Sequence, residues 1–412
     1  MAGTLGLYLS IPFCKAKCSF CNFASGVFAA ERMQGYVDRL CLEIRQARAW
    51  AHLHEADLPH RLDTIYFGGG TPSLLEPHLL TQIVTAIHAE FQVAAETEFT
   101  VECAPGQMTD ETLHELQLGG MNRVSLGVQS FVDRESAAVG RLHTASECHA
   151  EVLRLRASGV ERLALDLIVG LPHQTEASWK HTIDEALATG VEHVSVYMLE
   201  VDEESRLGRE VLAGGGRYGA AALPSEDCVA DWFAASCEWL AVDGMPQYEI
   251  SNFARPEAHS RHNTKYWRRE PYLGFGLDAH SMLNAGNGAL RWANPDEMQA
   301  YMGEGLLQVQ GEEANRAGRR AEAGHPRTIE RIGSRAAFEE TLFLGLRMVE
   351  GVDLVALRSR FGEALLGEIA LALGEVESAG LLMREGTRLR LTRSGQMISN
   401  EVFSRLLVGV AA

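Results

Sequence analysis

The chain has 412 residues and no apolar run that approaches the ~18 residues of a membrane span. Its first dozen residues, MAGTLGLYLSIP, hold neither a charged n-region nor a small-residue cleavage site, so no secretory signal is expected. Positive charge is scarce. Thirty-seven Lys and Arg against 55 Asp and Glu leave a formal net charge of −18. That balance argues against the basic face that nucleic acid needs and against simple adsorption on anionic lipid. Eight cysteines in a chain of this length are too few for a disulfide framework. The expectation is a cytoplasmic protein that neither binds nucleic acid nor inserts stably into a membrane.

The length suggests two or three domains, and a hydrophobic fraction of 46% is enough for sizeable cores. From residue 5 to about 202, short apolar runs alternate with helical patterns. The runs are LGLYLSI (5–11), LDTIYFGGG (62–70), EFTVECAP (98–105), RVSLGVQS (123–130), RLALDLIVG (162–170) and HVSVYMLEV (193–201). Each reads as a buried parallel strand. Six successive βα units predict an α/β fold of a particular kind: a partial (β/α)6 TIM-type barrel, short of the eight units that close one. Residues 203–308 are less regular, with a helix expected over 225–243 and a dense aromatic and polar stretch over 247–281. Residues 309–333 are charged and poor in large apolar side chains, which predicts a flexible insertion. From 334 to 412 three helical patterns precede MREGTRLRLT, a hairpin signal, so a winged-helix-like module is expected. Nine arginines against ten acidic residues there favour a structural or docking role over DNA binding.

Three of the eight cysteines fall within eight residues, Cys14, Cys18 and Cys21, directly after the first strand. The C-terminal edge of a parallel sheet is where such folds place ligand sites. Thiolates are the normal ligands of iron–sulfur clusters, and three of them leave one iron of a 4Fe–4S cubane without a protein ligand. A zinc knuckle would want a fourth Cys or His within a few residues, and the sequence has none there. The scattered Cys41, Cys103, Cys148, Cys228 and Cys237 read as fillers.

CxxxCxxC with Phe20 just ahead of the third cysteine resembles the radical S-adenosylmethionine (SAM) superfamily. The resemblance implies that the methionine end of SAM chelates the open iron. Other strand ends match. Gly68-Gly69-Gly70-Thr71-Pro72 follows the second strand, Glu102 ends the third, Gln129 the fourth, Arg141 lies in GRLH beyond it, and Asp166 is on the fifth. These positions resemble the oxygen-independent coproporphyrinogen III oxidase group. They imply a SAM site of Tyr8, Phe20, Gly69, Gly70, Thr71, Glu102, Gln129, Arg141 and Asp166. One departure is Glu102-Cys103-Ala104-Pro105, where that group reads E-x-N-P.

Two branches of the group separate at two points. The oxidase has a fourth cysteine two residues after the third, where this chain has Phe23, and a longer segment ahead of the cluster. The other branch, the haem chaperones of HemW type, is marked by HNxxYW, here His262-Asn263-Thr264-Lys265-Tyr266-Trp267. YEISNFA (248–254) and YLGFGLDAHS (272–281) resemble the same family, except that Asp278 replaces a small residue. The resemblance implies a haem chaperone that passes haem to acceptor proteins, respiratory ones among the candidates, with SAM, a 4Fe–4S cluster and haem as cofactors. It implies His262 as the haem ligand, in an exposed position that suits a carrier, with His259 and His280 nearby. From the residues alone, His262 and Trp267 more simply close the bottom of the barrel. The alternatives are a radical SAM decarboxylase of coproporphyrinogen III and a radical SAM enzyme with an unrelated substrate.

Overall fold

A computed structural model describes residues 3–286, 288–303 and 327–407. Six strands lie side by side in chain order, every neighbour parallel: β1 (Leu5–Ile11), β2 (Arg61–Gly69), β3 (Gln92–Cys103), β4 (Arg123–Gln129), β5 (Arg162–Val169) and β6 (His193–Met198). Helices Glu31–Leu53, Pro77–Glu90, Asp110–Leu118, Ala145–Ala157 and Glu176–Ala188 fall in the crossovers. The side-chain period of two explains the composition of these strands. Leu5, Leu7, Leu9 and Ile11 of β1, like Leu163, Leu165, Leu167 and Val169 of β5, are buried in the main apolar core. Each such side chain contributes about 1.5–3 kcal/mol. The alternate positions, among them Tyr8, Tyr66, Glu102, Ser125 and Asp166, contact one another on the other face.

The sheet continues beyond six strands and stays open. β7 (Gln247–Glu249) and β8 (Asn252–Ala254) form a hairpin whose second strand pairs antiparallel with β6. On the other side β9 (Tyr272–Phe275) runs parallel to β1, followed by antiparallel β10 (His280–Ala285), β11 (Gly288–Ala293) and β12 (Thr328–Ile332). The result is a mixed twelve-stranded sheet in the order β12-β11-β10-β9-β1-β2-β3-β4-β5-β6-β8-β7. The aromatic stretch over 247–281 is therefore more regular than its sequence suggests, because its strands are too short to show a period. Part of the expected insertion, residues 309–326, lies outside the described residues. Its last part is a correction: Thr328–Ile332 is a strand on β11, and the charges in TIERI fall mostly on exposed positions.

Beyond it, helices Ser334–Arg347, Leu354–Phe361, Glu363–Glu368 and Ala370–Ser378 surround a small sheet of β13 (Val352–Asp353), β14 (Leu382–Glu385) and β15 (Arg388–Leu391), and two short helices follow. Phe338, Leu342, Leu346, Leu357, Val376, Leu389 and Val402 form a separate core there, and Ile250 from the β7–β8 turn inserts into it. The hairpin after a run of helices matches the expected winged-helix-like arrangement.

One buried carboxylate ties distant parts of the chain together. Glu43, on the first helix, accepts from Asn294 Nδ2 at 2.8 Å and Arg327 Nη2 at 2.5 Å through one oxygen. Through the other it accepts from Gly276 N at 3.0 Å and Tyr301 Oη at 2.9 Å. The Arg327 guanidinium also lies over the Trp50 ring, 4.5 Å from its centroid. Breaking a buried pair on one side leaves the other charge uncompensated. Glu43→Ala should therefore cost about 3–5 kcal/mol of stability in denaturant unfolding. Arg393→Ala, which breaks an exposed pair with Glu238, should cost no more than about 1 kcal/mol. Equal effects of the two substitutions would contradict the role given to Glu43.

Candidate functional site

The three thiols lie on the loop that leaves β1. Cys14 N–H donates to Gly26 O at 2.9 Å and Gly26 N–H to Pro12 O at 2.9 Å, so the loop folds back on its own start. Cys21 N–H donates to Cys18 O at 3.3 Å, a tight turn between the second and third cysteine. None of the three is in a disulfide. Burial raises the Cys14 thiol above its ordinary pKa, with Cys21 and Cys18 adding to the rise; hydrogen bonds to Ser25 and Thr71 oppose it. Thiolates on one loop repel one another, as the effect of Cys21 and Cys18 on Cys14 shows, and cationic irons between them would remove the repulsion. Among the described residues no three His, Cys, Asp or Glu side chains converge on a point fit for a single metal ion. A cubane instead takes its thiolates from wider-set corners.

The glycine run after β2 has a steric cause. Gly70 N–H donates to Ile11 O at 2.9 Å and Thr71 N–H to Phe13 O at 2.8 Å, which presses this turn onto the cysteine loop. A Cβ on Gly70 would stand 2.7 Å from both the Ile11 and Phe13 carbonyl oxygens. Gly69 has φ +96°, and a Cβ there would meet Ser10 Oγ at 2.9 Å and Tyr8 Oη at 3.4 Å. Only glycine fits both demands.

Strands β1 to β6 supply the polar wall. Tyr8 stacks on Tyr66 with ring centroids 6.1 Å apart, and Tyr66 Oη donates to Glu102 Oε1 at 2.9 Å. Ser125 Oγ donates to Asp166 Oδ2 at 3.0 Å, and Ser195 also bonds Asp166. Burial and the charge of Asp166 push the Glu102 carboxyl up to about 7, against the opposing bonds from Tyr66 and Gly69. Burial raises Asp166 too, while bonds from Ser195 and Ser125 and the charges of Arg123 and Arg141 hold it down. Arg141 joins this wall to the cysteine loop: Nη1 donates to Cys18 Sγ at 3.4 Å and Nη2 to Gly127 O. A Cβ on Gly127 would fall 3.0 Å from Gln129 Nε2 and 3.1 Å from Arg141 Nη2, so this glycine gives both side chains room. Phe20 packs with Val139, Ile168, Leu171 and Leu207 beside the mouth.

Tyr8, Gly69, Gly70, Thr71, Glu102, Gln129, Arg141 and Asp166 thus line one end and interior of the open barrel with the cysteine loop. Tyr66, Ser125, Ser195 and the buried Arg123, which share this wall, are residues the sequence reading missed. Their signal was the polar residue at every second position of TIYF, RVSLG and HVSVY, hidden within runs that look apolar overall. Ala104 is buried at the end of β3 and offers only its backbone. Asp278 has φ +56°, a left-handed conformation that explains the preference for a small residue there and that Asp tolerates better than most.

His262 corrects the expectation of an exposed ligand. It is only 1% exposed and lies at the opposite end of the barrel from the cysteines, on the helix Arg261–Trp267. Nδ1 hydrogen-bonds Thr64 Oγ1 at 2.9 Å and Nε2 bonds Tyr266 Oη at 2.8 Å, so both ring nitrogens are engaged. Burial, with Lys265 and Arg123 adding to it, lowers the imidazole to about 3. Its backbone N–H donates to Glu98 Oε1 at 3.0 Å, and Lys265 pairs with Asp63 at 2.9 Å. These contacts make the HNxxYW segment the floor of the barrel.

The raised Glu102 carboxyl has a consequence for stability. The folded state holds a proton that the unfolded chain has released, so stability falls as pH rises from about 4.5 through about 7. Glu102→Gln should flatten that fall, raising the unfolding temperature by a few degrees at pH 8 and little at pH 5. Equal shifts at both pH values would contradict the assignment.

The radical SAM superfamily signature matches residues 8–186, and the HemN C-terminal domain matches residues 334–398. Heme chaperone HemW of Lactococcus lactis is 32% identical to this chain, over 97% of each protein. Heme chaperone HemW of Bacillus subtilis is 31% identical, over 97% of this chain and 98% of that protein. The solved structure of the radical SAM enzyme coproporphyrinogen III oxidase (HemN) from Escherichia coli superposes with a TM-score of 0.78, over 98% of this chain and 90% of that one. At 21% identity this likeness speaks for the fold alone. Sequence relatedness along nearly the whole chain places this protein in the HemW family of the radical SAM superfamily.

Proposed function

We propose that this chain is a haem chaperone, binding haem and handing it to acceptor proteins, and that Cys14, Cys18 and Cys21 hold a 4Fe–4S cluster chelated by SAM. The observation that supports the first half is the end-to-end relatedness to two heme chaperones HemW. The cluster reading rests on the donor set: three free thiols on one loop at the C-terminal edge of β1. Bound there, the cluster would supply one-electron cleavage of the SAM sulfonium bond.

The chain's own residues would do the rest. Gly69 and Gly70 let backbone approach the methionine end of SAM. Tyr8, Glu102 and Asp166 present acceptors and donors to its polar groups from the barrel wall. Gln129 and Arg141 stand between that wall and Cys18. Thr71 borders the loop beside Cys14, and Phe20, within the loop, anchors it on the Val139, Ile168, Leu171 and Leu207 cluster. No helix among the described residues is long and apolar enough to cross a membrane. We place the chain in the cytoplasm, with haem-accepting proteins, respiratory ones among them, as partners.

The oxidase reading is disfavoured by Phe23, which stands 62% exposed where a fourth cysteine would be. The test pairs two assays on anaerobically prepared, cluster-loaded protein. The haem-loaded chain mixed with an apo-haem protein should lose its absorption band as the acceptor gains one. With coproporphyrinogen III, SAM and a reductant it should form no protoporphyrinogen. Robust decarboxylation, or no haem transfer, would overturn the chaperone reading.

A further inference from the structure

The sulfonium cleavage proposed above consumes one electron for each SAM, and the chain's own side chains do not supply it. A donor has to reach the cysteine loop from outside. Charge is distributed unevenly around that loop. The chain carries −18 overall, yet two of its four lysines, Lys15 and Lys17, stand between the first two cysteines of the motif. Arg206 donates to Lys17 O and lies 5.3 Å from the Tyr218 ring centroid. Arg217 lies 5.2 Å from the same centroid. At Gly219, next in the chain, a Cβ would stand 3.6 Å from His173 Nε2, and Arg134 Nη2 meets His173 Nδ1 at 3.2 Å. These contacts join five cations into one stripe beside the mouth of the barrel.

Among the described residues, Lys15, Lys17, Arg134, Arg206 and Arg217 form no ion pair, whereas exposed arginines elsewhere, such as Arg255, Arg335 and Arg405, each hold a carboxylate. Neighbouring carboxylates turn away from the stripe. Asp202 accepts from Asn22 Nδ2 at 2.6 Å, Glu210 accepts from the Arg217 backbone N–H at 3.2 Å, and Glu204 and Asp296 act on Asp278 beyond the end of β9. Apolar side chains stand exposed within the stripe. Phe23 is 62% exposed, and its carbonyl accepts from Lys17 Nζ at 3.0 Å. Leu142 is 59% exposed, two residues beyond Gly140, which lies beside the Lys17–Cys18 backbone. The thiols under this face are only half-buried.

Unpaired cations around exposed apolar side chains fit an acidic protein partner. The rest of this acidic chain repels such a partner, so the stripe fixes where it lands. Electron-transfer encounters are made through small interfaces of this kind, often under about 1,200 Å². We propose, on the cluster reading above, that this face docks a small acidic one-electron carrier protein bearing a flavin or an iron–sulfur centre. Lys15, Lys17, Arg134, Arg206 and Arg217 meet its carboxylates, and Phe23 and Leu142 make the apolar contact. The carrier is oxidised by one electron and the cluster is reduced by one; no bond forms or breaks between the two proteins. Phe23 thereby has a use on the outside of the loop.

The test uses anaerobic, cluster-loaded protein and a flavodoxin, a small acidic flavoprotein, as the probe. Binding of oxidised flavodoxin is measured by calorimetry, and reduction by its hydroquinone is followed in the cluster's visible absorption; neither needs turnover. Arg134→Glu with Arg217→Glu should weaken binding and slow reduction about tenfold or more at low ionic strength, and the gap should narrow as salt screens the surface. Arg384→Glu with Arg405→Glu changes the net charge equally on the C-terminal module and should alter both by less than about twofold, because distant charges are screened. Leu142→Ser should weaken binding with no change of charge. Dithionite, which needs no docking face, should reduce all of these proteins at similar rates. All five substituted residues are exposed, so circular dichroism and iron content should stay unchanged. Intact protein without iron and sulfide would defeat the cluster reading and the docking face with it. Cluster-loaded protein that flavodoxin neither binds nor reduces, or reduces equally in both charge-reversed pairs, would defeat the docking face alone. So would binding of the intact chain to phosphatidylglycerol vesicles that the Arg134 and Arg217 substitutions abolish, since the stripe would then meet lipid.

Discussion

The close approach of two backbone segments is the constraint on which the site depends. The turn after β2 donates from Gly70 and Thr71 into the carbonyls of Ile11 and Phe13, on either side of the point where β1 becomes the cysteine loop. Without side chains at 69 and 70 the two loops touch, and the thiols are fixed over the mouth of the sheet. A longer side chain at Gly70 would have to displace backbone, not merely a flexible group. The polar wall then follows from strand period. Every strand that carries Tyr8, Tyr66, Glu102, Ser125 or Asp166 inward carries a Leu, Ile or Val outward onto the helices.

The two ends of the barrel divide the work. At the mouth, the cysteine loop, Arg141 and the raised carboxyls surround the proposed SAM site. At the floor, Glu98, Thr64, His262 and Tyr266 close the interior through hydrogen bonds that leave no ring nitrogen of His262 available. The floor also meets the C-terminal module, through Trp267 and Arg347 and through the pairing of Glu249 with Met348.

Much of this was legible in the sequence. The six parallel strands announce themselves because they are buried on both sides and flanked by turn residues, and LGLYLSI marks β1 from end to end. The cysteine spacing and the glycine run are local patterns, so their positions at adjacent strand ends follow from the βα order. The short strands β7 to β12 were not legible, since three to six residues cannot show a period and their pairing is set by distant partners. Nor was the buried Glu43–Arg327 pair, which joins the first helix to a charged segment that reads as solvated. His262 shows the limit most plainly. A histidine in a motif carries no signal of its burial, and only the partners Thr64 and Tyr266, 198 residues away and 4 residues away, reveal that its nitrogens are spoken for.

The most direct test of the account is a count of iron and acid-labile sulfide in anaerobically reconstituted protein before any haem is added, on the intact chain and on Cys18→Ser. The intact chain should hold about four of each per chain, and Cys18→Ser should hold little of either while keeping its fold. Intact protein that stays colourless and metal-poor, or a Cys18→Ser variant that retains the full complement, would contradict the central claim that these three thiols hold a cluster.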